Sequence, residues 1–205
     1  MEKNFTARIV DLTEVYEMAY QVSQKISDSP SNFDVVVGIS RGGFPPARLV
    51  CDFLNIKTLT AVQVRHYTAG GQAKEEVEIT DPIDIDLKGK NILVVDDVND
   101  SGKTLKAAVD HIKTKGAKAV KTAVLHEKEN TSLSADFAGA YQTEWKWLMY
   151  QWAVTEDLLE FLKKDEMLSA DKEEMLQHLS DKYDLNVQTE LLDKVLAMKS
   201  NYFDN

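Results

Sequence analysis

Ile92, Leu93, Val94 and Val95 form an unbroken apolar run that ends on two adjacent carboxylates, Asp96 and Asp97. A short run without polar alternation marks a strand buried on both faces, and such a strand needs a covering layer on each side of its sheet. Val98-Asn99-Asp100-Ser101-Gly102 then leads into Lys103-Thr104 and a helical pattern over 104–115 that Gly116 stops. A strand–loop–helix junction presents unpaired backbone N–H groups, which bind phosphate well. Carboxylates beside such a cradle repel an anion unless the ligand brings hydroxyls for them to hold and a divalent cation shares the charge. The segment therefore predicts an α/β fold that binds a sugar phosphate beyond the end of a strand.

The remainder of the chain agrees with that class. Val15, Met18, Ala19, Val22 and Ile26 recur at helical spacing over 13–26. Residues 34–39 read as a strand, Pro45-Pro46 opens a helix that continues over 47–54, and 58–65 and 119–126 read as strands. Residues 67–86 have no clear period and are rich in Gly, Lys, Glu and Asp, which suits a mobile loop or an irregular hairpin. Strands alternating with helices imply a parallel sheet, with ligands beyond the carboxyl ends of its strands. From about residue 155 the pattern changes to three helical patches: Leu158, Leu159 and Leu162; Met175, Leu176 and Leu179; and Leu191, Leu192, Val195, Leu196 and Met198. Segment 156–205 holds 13 acidic and 6 basic residues. The expected organisation is a body over 1–154 and an acidic helical C-terminal extension over 155–205, its apolar stripes packed on the body or on a second subunit and its acidic face solvated.

Composition narrows the function classes. A net charge of −10 disfavours DNA and RNA partners. Without an apolar run of about 18 residues, no membrane-spanning helix is expected. The first residues lack a secretory apolar stretch, and a single cysteine, Cys51, suits a reducing compartment, so the cytoplasm is the expected location. Cys51 sits in an apolar helical run and reads as a core thiol rather than a nucleophile.

Three readings of residues 96–104 compete. Gly102-Lys103-Thr104 fits the end of a nucleoside-triphosphate loop, but Asp97 occupies the place of that loop's first glycine. A receiver domain also clusters acids at strand ends, without needing the Ser-Gly-Lys-Thr cradle. The stretch resembles the 5-phosphoribosyl-1-pyrophosphate (PRPP) binding motif of the type I phosphoribosyltransferases, and its Asp-Ser-Gly-Lys-Thr form is most similar to the 6-oxopurine branch. Val36-Val37-Gly38-Ile39-Ser40-Arg41-Gly42-Gly43 is similar to the pyrophosphate loop of the xanthine-guanine enzymes, where the peptide before the arginine can be cis.

The resemblance implies a parallel-sheet type I phosphoribosyltransferase fold and a role for each motif. Asp96 and Asp97 would hold the ribose hydroxyls and, indirectly through ribose or water, Mg²⁺. Ser101, Gly102, Lys103 and Thr104 would cradle the 5′-phosphate, and Asp100 would act as general base or orienter. Ser40, Arg41, Gly42 and Arg65 would meet pyrophosphate, with the 67–78 loop closing over the site and Lys74 within reach. Lys128 would donate to the exocyclic oxygen of a purine. Trp147 matches a pattern of Trp, four residues, Trp and would stack on the base, with a backbone acceptor near Leu148. Gln151 departs from the proline common before the second Trp, Trp152. The implied activity is transfer of the phosphoribosyl group from PRPP to hypoxanthine, guanine or xanthine, in a homo-oligomer (dimer or tetramer). A transferase for adenine or a pyrimidine, or a PRPP-sensing regulator without activity, are the competing expectations.

Overall fold

Side chains on successive residues of the central strands point to opposite faces, and both faces are apolar. A computed structural model describes residues 5–68, 75–129 and 131–203. The chain divides into two compact units, Thr13–Thr143 and Met1–Leu12 with Glu144–Asn205. The division falls before the change of pattern at about 155, because the second unit takes in two short strands as well as the C-terminal helices.

The first unit is built on a six-stranded sheet. Its strands are β2 (Val35–Ser40), β3 (Thr58–Thr68), β4 (Glu75–Asp81), β5 (Asn91–Asn99), β6 (Ala119–Lys128) and β7 (Phe137–Gln142). The spatial order is β4-β3-β2-β5-β6-β7. All neighbours are parallel except β3 and β4, which form an antiparallel pair. Helices α1 (Leu12–Ser27) and α2 (Phe44–Phe53) cover one face, where Val22, Ile26, Ala47, Val50 and Cys51 meet Val36, Leu93 and Val95. Helix α3 (Lys103–Thr114) covers the other, with Leu105, Ala108 and Ile112 against Val35, Val37, Ile92 and Val94. The period-2 split of Ile92–Val95 between the two clusters is the physical content of an apolar run.

The connections fix where a ligand can sit. From β2 the chain passes through α2 to β3 on one side; from β5 it passes through α3 to β6 on the other. The order reverses between β2 and β5, which are adjacent, so the loops after them open a crevice at their carboxyl ends.

In the second unit, β1 (Ala7–Val10) pairs in parallel with β8 (Trp147–Tyr150). With them stand α4 (Val154–Lys164), α5 (Lys172–Tyr183), α6 (Thr189–Ala197) and α7 (Ser200–Phe203). The apolar stripes converge on one another: Leu158, Leu159, Leu162, Met175, Leu179, Leu192 and Val195 share one core with Ala7 and Met149. Asp165 ties α4 to α5, accepting hydrogen bonds from His178 Nε2 and Tyr183 Oη, each at 2.7 Å, and from Lys182. No helix among the described residues is long and apolar enough to cross a membrane.

Candidate active site

The end of β5 places Asp96 and Asp97 at the crevice. Asp96 is buried and Asp97 half-buried. The Asp97 backbone N–H donates to Asp96 Oδ1 at 3.0 Å, and the Val98 N–H donates to Asp97 Oδ1 at 2.8 Å. Burial, reinforced by the charge of Asp97, holds the Asp96 carboxyl well above the usual carboxylate range.

The turn after β2 lies against this strand end. The Ser40–Arg41 peptide is cis. The Gly43 N–H closes the turn onto Ile39 O at 2.8 Å, and Gly43 O accepts from Ala47 N at 3.0 Å as α2 begins. Both glycines are required by contact. A Cβ on Gly42 would overlap the Asp97 carboxylate, and one on Gly43 would lie 2.5 Å from Val95 O and 2.8 Å from Asp96 Cα. The structure thus brings Ser40, Arg41 and Gly42 together with Asp96 and Asp97.

Helix α3 starts at Lys103 behind Gly102, whose φ of 81° is left-handed and which offers no side-chain cap. Its first turn carries no acidic residue, so its end favours an anion. Ser101 is exposed and accepts at its hydroxyl from Lys103 N at 3.4 Å. The segment 131–135 lies over this loop. Ser132 donates to Ser101 O from its hydroxyl at 2.6 Å and from its backbone at 3.1 Å, and a Cβ on Gly102 would lie 2.7 Å from Leu133 N.

At the end of β6, Lys128 Nζ donates to Asp100 Oδ2 at 2.8 Å. The lysine side chain is 6% exposed and that of Asp100 is 48% exposed, so the pair presents its carboxylate outward. One residue earlier on each strand, Asn99 and Glu127 pair across the ladder, both buried. Sequence reasoning passed over these two residues and Ser132. The available signal was an acid, Glu127, directly after three apolar residues and a histidine in a strand.

Arg65 is exposed on β3, in register with Glu78 of β4. Residues 64–68 pair antiparallel with 75–79, so the described ends of the 67–78 segment belong to strands. Lys74 lies outside the described residues. Trp147 and Leu148 belong to the second unit, on β8. Leu148 is buried, and its side chain serves the packing. Trp147 is 38% exposed, and its indole N–H donates to Asp157 Oδ2 at 3.0 Å. The Phe5 ring stacks on it with centroids 6.2 Å apart. Cys51 is buried, and burial pushes its thiol up, in keeping with a core role.

A sequence profile of the phosphoribosyl transferase domain matches residues 7–151. The hypoxanthine-guanine phosphoribosyltransferase of Aquifex aeolicus is 31% identical over 142 residues, 67% of this chain and 75% of that protein. The xanthine-guanine phosphoribosyltransferase of a Ruegeria species is 43% identical over 75 residues, which is 34% of this chain and 43% of the relative. The crystal structure of a purine phosphoribosyltransferase from Pyrococcus horikoshii superposes with a TM-score of 0.63 at 32% identity, covering 72% of this chain and 94% of the other.

Proposed function

Because this chain belongs to the phosphoribosyl transferase domain family, we propose that it transfers the 5-phosphoribosyl group of PRPP to a 6-oxopurine base, releasing pyrophosphate and a nucleoside 5′-monophosphate. The observation that carries this reading is the close approach of two loops at the crevice between β2 and β5. The twin-glycine turn presses on Asp97, and the α3 phosphate cradle follows a few residues on. One sugar carrying phosphate at one end and pyrophosphate at the other suits that spacing.

The 5′-phosphate is assigned to the backbone of 101–104 with the Ser101 and Thr104 hydroxyls, and Lys103 supports that loop. Asp96 and Asp97 hold the ribose hydroxyls. Ser40, Arg41, Gly42 and Arg65 meet the pyrophosphate. No cluster of three or more His, Cys, Asp or Glu side chains suited to a metal occurs among the described residues. Two carboxylates alone fit a Mg²⁺ held largely by ligand oxygens and water. When bound there, Mg²⁺ supplies charge neutralisation to the departing pyrophosphate.

A ring nitrogen of the base attacks C1′, the bond from C1′ to the pyrophosphate oxygen breaks, and the base loses its proton to Asp100. Lys128 donates to the exocyclic oxygen. In the structure these two side chains bond to each other, so the polar edge of an incoming base exchanges with that pair. The family resemblance assigns the stacking surface to Trp147 and a backbone acceptor to Leu148. We assign the protein to the cytoplasm and to a homo-oligomer, dimer or tetramer; the exposed rings of Tyr16 and Tyr20, packed on half-buried Phe53, support association.

The test is PRPP-dependent nucleotide formation with hypoxanthine, guanine, xanthine, adenine, uracil and orotate in turn. Turnover confined to the 6-oxopurines is expected. Turnover of adenine or a pyrimidine alone, or of no base, overturns the assignment.

A further inference from the structure

We infer that Asn99 and Glu127 are positioning residues that tie the base end of the site to its phosphate end; this rests on the function proposed above. The two side chains face each other from adjacent parallel strands, and each residue is 3% exposed. A carboxylate at that depth is costly unless its oxygens are hydrogen-bonded. Here the Asn99 amide donates to Glu127 Oε2 at 3.2 Å, and the Ala135 N–H donates to both Glu127 oxygens at 3.2 Å. The same Asn99 nitrogen donates to Leu133 O at 2.7 Å. The pair therefore does more than join β5 to β6. It anchors residues 133–135 to both strand ends.

Two neighbouring features give that anchorage a consequence. The next residues in the chain, Asp100 and Lys128, form the ion pair assigned to the base. The anchored segment continues back to Ser132, which holds Ser101 O through two hydrogen bonds, and it lies so close over Gly102 that no side chain fits between. Displacing Asn99 or Glu127 thus moves the general base, the base-recognising ammonium and the cover of the phosphate loop together. An apolar pair at these positions would fill the space, with no polar atoms to hold 133–135.

The experiment compares wild-type protein with Glu127→Gln, Ser132→Ala and the double variant, by steady-state kinetics and by amide hydrogen exchange at Ser132 and Ala135. Glu127→Gln keeps the shape but removes the charge and one of the two acceptor oxygens, so the Asn99 and Ala135 donors must share a single oxygen. KM for PRPP should rise about tenfold, and exchange at both amides should quicken by at least a similar factor, the scale of one lost hydrogen bond to a charged group. Because both changes act through one segment, Ser132→Ala should raise KM for PRPP by a smaller factor in the Glu127→Gln background than alone. A merely structural role would lower the melting temperature and leave KM unchanged. Unchanged KM for PRPP, or effects of the two changes that multiply independently, overturns the inference while the enzyme assignment stands. If wild-type protein makes no nucleotide, the assignment falls, and the tie is then judged by exchange alone: unaltered protection at Ser132 and Ala135 in Glu127→Gln refutes it.

Discussion

Replacing Gly43 by alanine tests whether the turn after β2 is set by backbone contact with β5. A Cβ there would sit 2.5 Å from Val95 O, 2.8 Å from Asp96 Cα and 2.8 Å from Ile39 O. All three neighbours are backbone atoms of central strands, so no side chain can swing aside, and the turn itself must lift by something under an ångström. Overpacking of this kind costs about 1–3 kcal/mol, and the rigidity of both strands puts Gly43→Ala at the upper end. The same displacement moves Arg41 and Gly42 away from the place proposed for the pyrophosphate, and misplacement on the order of 1 Å costs about a hundredfold in rate. Gly42→Ala behaves differently because its obstacle is the Asp97 side chain. That carboxylate can rotate, losing the bond to Val98 N, at about 1 kcal/mol. Gly89→Ala is the control: nothing lies within 4 Å, and only its φ of +71° is strained, at about 1 kcal/mol. Urea unfolding followed by circular dichroism, with kcat/KM for PRPP, separates the three. Stability should fall most in Gly43→Ala, and activity should fall in Gly42→Ala and Gly43→Ala but not in Gly89→Ala. Equal stability losses for Gly43→Ala and Gly89→Ala would refute the contact reasoning.

Further outcomes follow from the same geometry. Asp100→Asn should lower kcat by about 10²–10⁴-fold, the scale of general acid–base catalysis, and leave KM for PRPP within a factor of about two; an unchanged kcat removes Asp100 from the chemistry. Asp157→Leu frees the Trp147 indole and should raise KM for the base about threefold to tenfold with KM for PRPP unmoved, whereas equal shifts in both would show that Trp147 does not address the base. Burial opposes ionisation of Asp165, but hydrogen bonds from His178, Lys182 and Tyr183 outweigh it and hold the group at about 2, below its ordinary 3.8. A depressed carboxyl stabilises fully above about pH 4 and loses that contribution as pH falls through 2, by about 1–2 kcal/mol once screening at exposed Lys182 is allowed for. Asp165→Asn should therefore flatten the acid limb of the stability profile in that window, and an identical limb in both proteins would contradict it.

The parts of the fold legible in the sequence are those whose burial is local in origin. Ile92–Val95 had to be central because nothing in it faces water, and Val15, Met18, Val22 and Ile26 define the inner stripe of α1 without reference to a partner. Strands that depend on distant pairing were not legible. Ala7–Val10 is four residues long and exists because Trp147–Tyr150 runs beside it. Phe137–Gln142 includes a glycine and two alanines, and β6 supplies its ladder. Glu75–Asp81 reads as charged loop, since an edge strand can expose the charges that a central strand cannot. At the site, the carboxylates and glycines announced themselves by type and spacing. Glu127 did not, because a carboxylate at the tip of a strand reads as solvent-facing until the register sets it opposite Asn99.

Two further arrangements bear on how an acidic chain can handle an anionic donor. Segment 156–205 carries 13 of the acidic residues against 6 basic ones, so most of the net charge of −10 belongs to the helices and little of it to the sheet that bears the loops. Within the crevice, burial, reinforced by the charge of Asp97, weakens the acidity of the Asp96 carboxyl. The strand end stands against the Arg41 turn and ahead of the α3 N-terminus. On the function proposed above, the adjacent acids suit the hydroxyls of a sugar, which leaves its phosphates to the backbone N–H groups of the α3 cradle and to the Arg41 turn.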